Sequence, residues 1–131
     1  MKHYNVVAAV VCHDGKYLCM QKGKTKFEYT SYKWEFPGGK IEPGETPQQA
    51  LARELMEEME YPVVVGEELV TVNHEYPDFS ITMTAFLCTP KGDADGFRRR
   101  EHADSKWCSK GELEMLDWAA ADVDVVESIF H

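Results

Sequence analysis

Long apolar runs are missing from this sequence. The longest, residues 6–12, spans seven residues, whereas a helix needs about 20 to cross a bilayer. Because the run leads directly into His13-Asp14-Gly15-Lys16 and a second apolar run, it is typical of a β-hairpin and not of a signal peptide. We therefore expect a cytoplasmic protein with no membrane partner.

Basic residues are also scarce. Fourteen Lys and Arg stand against 23 Asp and Glu, which gives a formal net charge of -9. Attraction between basic side chains and the phosphate backbone supplies most non-specific affinity for nucleic acid, so a nucleic-acid polymer is not an expected partner. A small polyphosphate remains compatible with this charge, because metal ions can bring an anion to an acidic site.

The four cysteines show neither C-x-x-C spacing nor pairing with histidine at zinc-ligand intervals, so we expect free, mostly buried thiols. The chain has 131 residues, of which 44% are hydrophobic and 28% charged, as in soluble globular proteins. This length predicts one domain over residues 1–131. Its oligomeric state stays open between a monomer and a homodimer.

One strong helix interrupts a series of short strand patterns. Thr46, Pro47 and Gln49 form a capping box with proline at the first helical position, which predicts a helix over residues 47–59. Prolines and glycines predict an irregular segment over residues 37–45. Strands are predicted at residues 4–12, 17–21, 63–65, 69–75 and 80–89, with a further one around 107–108.

Two further helix starts follow near the C-terminus. Ser109 and Glu112 form a second capping box, and Asp122 is predicted as the N-cap of a last helix. Strands combined with a central and a C-terminal helix indicate an α+β fold, with a central mixed β-sheet flanked by helices on both faces.

Glutamates dominate the predicted central helix. At 100° per residue, Glu54, Glu57 and Glu58 share one arc beside the apolar stripe of Leu51 and Leu55. Like charges at this spacing repel, so a cation is expected to compensate them, and oxygen ligands suit Mg²⁺. A solvated acidic helix face is the alternative interpretation of this cluster alone.

The residues around this cluster form a longer pattern. Gly39 is followed after five residues by Glu45, then after seven by Arg53-Glu54-Leu55, one residue, and Glu57-Glu58. This pattern resembles the Nudix box, and its chance probability is on the order of 10⁻⁵ to 10⁻⁴. The Nudix pattern expects glycine where this sequence has Glu60 and an aliphatic residue where it has Tyr61.

Further segments resemble the MutT-like branch of the Nudix family, particularly its CTP pyrophosphohydrolase type. They are VVAAVV with a following DGK, WEFPGGKIEPGE, and Glu101 followed by Trp107-Cys108-Ser109. The resemblance implies the Nudix fold, an α/β/α sandwich. It also implies a Mg²⁺-dependent pyrophosphohydrolase, with Mn²⁺ as a possible substitute, that converts nucleoside triphosphates to monophosphates and pyrophosphate.

The expected substrate is a small nucleotide, such as a (d)CTP derivative or 8-oxo-dGTP. Two alternatives stay open: a hydrolase of nucleotide sugars or dinucleotides, and a nucleotide-sensing module without catalysis. The complete set of carboxylates favours catalysis over sensing.

The resemblance also assigns roles to individual residues. The metal would be held by the Gly38 carbonyl, Glu54, Glu57, Glu58 and Glu101, and either Glu54 or Glu101 would be the general base. Glu45 and Arg53 would support these carboxylates. Candidate substrate contacts are Lys22, Gly39, Lys40 and the arginines at 98–100 for phosphate, Asp122 for the edge of the base, and Phe36 and Tyr76 for stacking.

Overall fold

The computed structural model describes residues 1–130 and leaves His131 outside the described part. Seven strands and three α-helices follow one another along the chain. They are β1 (Lys2–His13), β2 (Lys16–Lys22), β3 (Trp34–Glu35), β4 (Gly38–Lys40), α1 (Pro47–Met59), β5 (Val63–Glu75), β6 (Phe79–Pro90), β7 (His102–Cys108), α2 (Lys110–Leu113) and α3 (Ala120–Ile129).

All seven strands join in one mixed sheet, whose main order is β3-β2-β1-β6-β5. Strands β1 and β6 run parallel, and the other pairs are antiparallel. Strand β1 pairs with β4 through Val6, Val7 and Ala8, and with β2 only at its end through Cys12 and His13. Between Ala8 and Cys12, β1 passes from one partner strand to the other. This change leaves a gap beside β3 and β4.

The two faces of the sheet carry separate apolar cores. Val7, Ala9 and Val11 of β1 pack with α1, whereas Ala8 and Val10 point to the opposite face, where α3 packs. Successive side chains of a strand alternate between faces, so a continuous apolar run such as β1 must be covered on both sides. The α/β/α sandwich and the mixed sheet expected from the sequence are therefore confirmed.

Helix α1 begins and ends where the sequence predicts. The Thr46 hydroxyl accepts a hydrogen bond from the Gln49 N–H at 3.1 Å, and the Gln49 side chain accepts one from the Thr46 N–H at 3.0 Å. At the other end Glu60 adopts a left-handed conformation, with φ 49° and ψ 42°. This is the conformation that glycine adopts most readily, so Glu60 ends the helix in the expected way at some steric cost.

Three predicted elements differ in the structure. Residues 38–40, predicted as irregular, form β4 because the chain lies directly against β1, where a Cβ on Gly38 would collide with the Val7 carbonyl oxygen. The strands predicted at 63–65 and 69–75 form one strand, Val63–Glu75, whose pairing with β6 shifts register around Glu68. Strand β7 begins at His102, well before residue 107, because its polar residues pair with β2.

The predicted N-cap of the last helix is wrong. Helix α3 begins after Ala119, and Asp122 lies within its first turn with a buried side chain. A side chain at this position is turned toward the sheet, so the Asp122 carboxylate binds a distant backbone N–H instead of capping its own helix. Within residues 1–130, no helix is long and apolar enough to cross a membrane.

Candidate active site

A cavity of about 1080 Å³ opens beside β3 and β4, where β1 changes partner. Strand β1, the segment after β2, the turn between β5 and β6, and the start of α3 line it. Glu58 of α1 contributes a carboxylate, and Asp122 of α3 contributes another. Elements from both faces of the sheet therefore meet at this one opening.

Glu58 is the most strongly perturbed carboxyl group of the helix α1 cluster. Burial, followed by the charges of Glu54, Glu101 and Glu35 in that order, raises its pKa to about 8. Glu54 therefore lies beside Glu58, and the charge of Glu101, in the loop before β7, also acts on Glu58. Such crowding of like charges is unfavourable unless a cation compensates it.

Arg53 organises the neighbouring carboxylates. Its guanidinium donates to both oxygens of Glu45, at 2.6 Å from Nε and 2.9 Å from Nη2. Nη1 donates to Glu54 at 3.0 Å and to Glu57 at 3.1 Å, and Nη2 also donates to the Lys40 carbonyl at 3.1 Å. The hydrogen bonds with Arg53 lower the pKa of Glu45. One planar guanidinium thus ties helix α1 to the loop that precedes it.

Glu57 differs from its two neighbours. Its side chain is 61% exposed and its described partner is Arg53, whereas the Glu54 side chain is 14% exposed. The sequence placed all three glutamates along the seam between helix and sheet. The structure places Glu57 on the solvent side of this seam, because the strip nearest the core is already filled by Leu55 and Met59.

Gly38 and Gly39 bring the backbone close to these carboxylates. A Cβ on Gly39 would collide with the carboxylate of Glu54, so only glycine allows the observed approach. The Gly38 backbone is held by its pairing with Ala8 and lines the same cavity as Glu58. Both glycines therefore lie where strand β4 approaches the glutamates of helix α1.

The carboxylate cluster has the donor chemistry of a divalent-cation site. Hard oxygen ligands suit Mg²⁺, and the crowding around Glu58 is the kind of repulsion that such an ion relieves. Among residues 1–130, no three acidic, histidine or cysteine side chains are grouped closely enough to hold a metal ion as they stand. Glu54 and Glu57 both accept hydrogen bonds from Nη1 of Arg53.

The lining of the cavity also includes Asp122, Lys22 and Glu35. The Asp122 carboxylate accepts a hydrogen bond from the Phe36 N–H at 3.0 Å. Burial and the charge of Glu35 raise the pKa of Asp122 to about 8. Burial opposes the charge of the Lys22 ammonium, but Glu35 and Asp122 outweigh this effect and raise its pKa.

The aromatic candidates line the cavity but also pack in the core. Phe36 is 3% exposed and stacks on Trp118 with a centroid distance of 4.8 Å. Tyr76 is 7% exposed, stacks on Phe79, and accepts a hydrogen bond from the Ala121 N–H through its hydroxyl. These contacts fix both rings before any ligand binds.

The basic candidates are divided between the cavity and the surface. Lys22 and Lys40 line the cavity, and the Lys40 ammonium lies 4.2 Å from the centroid of the Tyr4 ring. Arg98 and Arg100 instead pair with Glu60, and Arg99 pairs with Asp104. The three arginines are therefore engaged by surface carboxylates outside the lining of the cavity.

Sequence reasoning missed two residues of this site, Glu35 and His102. Glu35 lines the cavity, and its two oxygens contact Lys22 and His102. The available signal was a charged residue between two aromatic residues, Trp34 and Phe36, just before Pro37-Gly38-Gly39. His102 had no such signal, because only the pairing of β7 with β2 brings it to Glu35.

The comparison with protein families agrees with the geometry. The model of the NUDIX domain matches residues 1–129. The chain belongs to the Nudix family. As a Nudix hydrolase, it carries the glutamates of the Nudix pattern on helix α1, with Gly39 of β4 against Glu54. The resemblance found in the sequence is therefore confirmed.

Individual Nudix relatives are similar over most of the chain. The CTP pyrophosphohydrolase of Escherichia coli (strain K12) is 36% identical over 129 residues, which are 98% of this chain and 92% of the relative. The 8-oxo-dGTP diphosphatase of Proteus vulgaris is 41% identical over 88 residues, 67% of this chain and 78% of the relative. Among solved structures, that of the E. coli ORF135 protein has a TM-score of 0.82 at 34% identity and covers 99% of this chain and 90% of its own.

Proposed function

We propose that this Nudix hydrolase is a Mg²⁺-dependent nucleoside triphosphate pyrophosphohydrolase that releases a nucleoside monophosphate and pyrophosphate. The observation that carries the proposal is a single cavity lined both by Glu58, which we call its acidic end, and by the buried carboxyl group of Asp122, which we call its polar end. A nucleotide has the matching division, with a polyanionic end that requires cations and a base that offers hydrogen-bonding edges.

The acidic end would hold Mg²⁺ through the Gly38 carbonyl, Glu54, Glu58 and Glu101, with Glu57 joining once it leaves Arg53. When bound, the ion would neutralise the triphosphate and orient the attacking water. Arg53 would keep Glu54 in place through their 3.0 Å hydrogen bond while Glu45 fixes the guanidinium.

The general base would be a carboxylate beside this cluster. Glu54 is held by Arg53 and lies against Gly39, and Glu101 approaches from the loop before β7. Either could accept the proton of the attacking water. Lys22, Lys40 and the Gly39 backbone, which line the same cavity, are the proposed phosphate contacts.

The polar end would read the base. Asp122 would contact the edge of the base through its carboxyl group, while Phe36 and Tyr76 would stack against the base. The names of the relatives support CTP derivatives and 8-oxo-dGTP as the first substrates to test. The expected role is removal of modified or surplus nucleotides.

The test is an assay of the purified protein with MgCl₂ against canonical and oxidised nucleoside triphosphates, nucleotide sugars and dinucleotides. We expect pyrophosphate, not orthophosphate, from a narrow set that includes (d)CTP or 8-oxo-dGTP derivatives, and no turnover in EDTA. Glu58→Gln should be inactive, whereas exposed Glu127→Gln should match the wild type. Nucleotide binding without turnover at any divalent ion concentration would contradict the proposal.

A further inference from the structure

His102 is buried behind the wall of the cavity and contacts one carboxylate there. Its side chain is 5% exposed, and its Nε2 lies 3.1 Å from Oε2 of Glu35. The other oxygen of Glu35, Oε1, lies 3.4 Å from the Lys22 ammonium. Each oxygen of this carboxylate therefore has its own partner, and the two partners belong to strands β7 and β2.

An irregularity in strand pairing produces this contact. Gln21 pairs with Asp104, but the next residue, Lys22, pairs with His102, so Ala103 is an extra residue on β7. A β-bulge of this kind changes which side chains of the strand face its neighbour. Here the bulge places His102 opposite Lys22, on the side where Glu35 of β3 can reach both.

The second ring nitrogen of His102 shows which tautomer the site favours. Nδ1 is buried and has no hydrogen-bond partner among the described residues. A carboxylate oxygen only accepts, so Nε2 must carry the proton that it donates to Glu35. With this tautomer Nδ1 is left as a bare acceptor, which is tolerated more readily than a buried N–H without a partner.

We propose that His102 is a positioning residue: it holds Glu35, and through Glu35 the Lys22 ammonium, in the wall of the nucleotide cavity. The inference rests on the proposed function for the ligand, but its geometry rests on the Lys22–Glu35–His102 contacts alone. Lys22 and Glu35 line the cavity, whereas His102 lies behind them. His102 therefore acts through Glu35 and not by touching the nucleotide.

This arrangement determines which kinetic constant His102 should affect. Its partner Glu35 lines the cavity and contacts Lys22, whereas Arg53 holds the carboxylates of helix α1. Loss of the His102 contact would loosen Lys22 equally in the ground state and in the transition state. Such a loss of uniform binding raises KM and leaves kcat nearly unchanged.

The kinetic test compares His102→Leu, which has no donor, with His102→Gln, whose amide can donate to Glu35. For the preferred nucleotide, we expect His102→Leu to raise KM about tenfold, the equivalent of one hydrogen bond to a charged group, with kcat changed less than about threefold. His102→Gln should restore KM to within about threefold of the wild type. His13→Leu, at an exposed histidine beside Asp14, is the control.

A double-mutant cycle distinguishes action through Glu35 from a general structural role. In the Glu35→Ala background, His102→Leu should have no further effect on KM, because the partner is already gone. Additive effects, a fall in kcat alone, or a wild-type KM in His102→Leu would each overturn the proposal. If His102→Leu does not fold, His102→Ala replaces it in the cycle.

A measurement without substrate keeps this inference separate from the proposed function. Long-range ¹H–¹⁵N spectra of the wild-type protein should show the His102 proton on Nε2, and Glu35→Ala should shift that signal. A proton on Nδ1, or no response to Glu35→Ala, would overturn the positioning role. A wild-type protein with the expected spectra that neither binds nor hydrolyses nucleotides would contradict only the proposed function.

Discussion

The carboxylate of Asp122 accepts a hydrogen bond from the backbone N–H of Phe36 at 3.0 Å. This contact joins the first turn of α3 to the segment between β3 and β4, across 86 positions of the chain. It explains how a charged residue type is 95% buried: the carboxyl group has a fixed partner and a raised pKa, so burial does not require a permanent charge. The hydrogen bond with Phe36 holds Asp122 in the lining of the cavity.

Asp122→Asn should change base preference more than overall rate. The amide oxygen can keep the bond to Phe36, while the new NH₂ group offers two donors where the carboxyl group offers at most one. We expect the ratio of kcat/KM for CTP and 8-oxo-dGTP to shift about tenfold or more, as for one altered hydrogen bond in a base-reading site. The control is Asp124→Asn, exposed on the same helix, and an unchanged ratio would remove Asp122 from base recognition.

The same substitution isolates a pH effect on stability. The Asp122 pKa is about 8 in the folded protein against an ordinary value of 3.8, so the folded state alone holds this proton between those values. The stabilisation is fully present below pH 3.8 and is lost as the pH rises through about 8.

Urea unfolding at several pH values checks this effect. The free energy of unfolding of the wild type should fall relative to Asp122→Asn by at most about 1.4 kcal/mol per pH unit from pH 5 to pH 8. A difference between the two proteins that does not vary with pH would show that Asp122 does not titrate in this range.

Glu58→Gln should separate stability from activity. The substitution removes one charge from a crowded, half-buried cluster, so the protein without metal should melt at the same or a higher temperature at pH 8.5. Activity should fall by about 10² or more, as expected for a metal-site carboxylate. MgCl₂ should raise the melting temperature of the wild type but not of the variant, and an equal rise in both would place the ion elsewhere.

Arg53→Lys should impair the site although the positive charge remains. A lysine cannot bridge Glu45, Glu54 and the Lys40 carbonyl at once, as the guanidinium does. We expect kcat to fall about 10- to 100-fold, as for a lost partner of a metal ligand. Arg99→Lys, at a surface pair with Asp104, serves as the control. Wild-type kcat in Arg53→Lys would mean that Glu54 is held by other contacts.

The stability and activity of three glycine-to-alanine variants should depend on which atoms surround the added methyl group. Gly92→Ala has open space and should behave as the wild type. Gly39→Ala should fold but lose activity about tenfold or more, because the methyl group displaces the flexible Glu54 side chain. Gly38→Ala should unfold more readily than either, because the Val7 carbonyl oxygen belongs to the rigid sheet. Thermal melts and rates of the three proteins together check this order.

Helix α1 and the family pattern could be predicted from the sequence because their signals are local. The capping box, the proline at its first position and the apolar spacing of Leu51 and Leu55 lie within one segment, and the structure confirms them. The apolar run of β1 likewise indicated a strand. Fixed spacing along one helix also sufficed to bring Glu54 and Glu58 together.

The tertiary structure alone decided how distant segments complete the site. Asp122 was predicted as a local helix cap, but its contact with Phe36 replaced that role. Glu35 and His102 meet only because β7 pairs with β2 through a bulge, and Glu57 is exposed because Leu55 and Met59 fill the strip of helix α1 nearest the core. Local rules determine the helices and strands of this protein, whereas its side-chain partners depend on packing between residues far apart in the sequence.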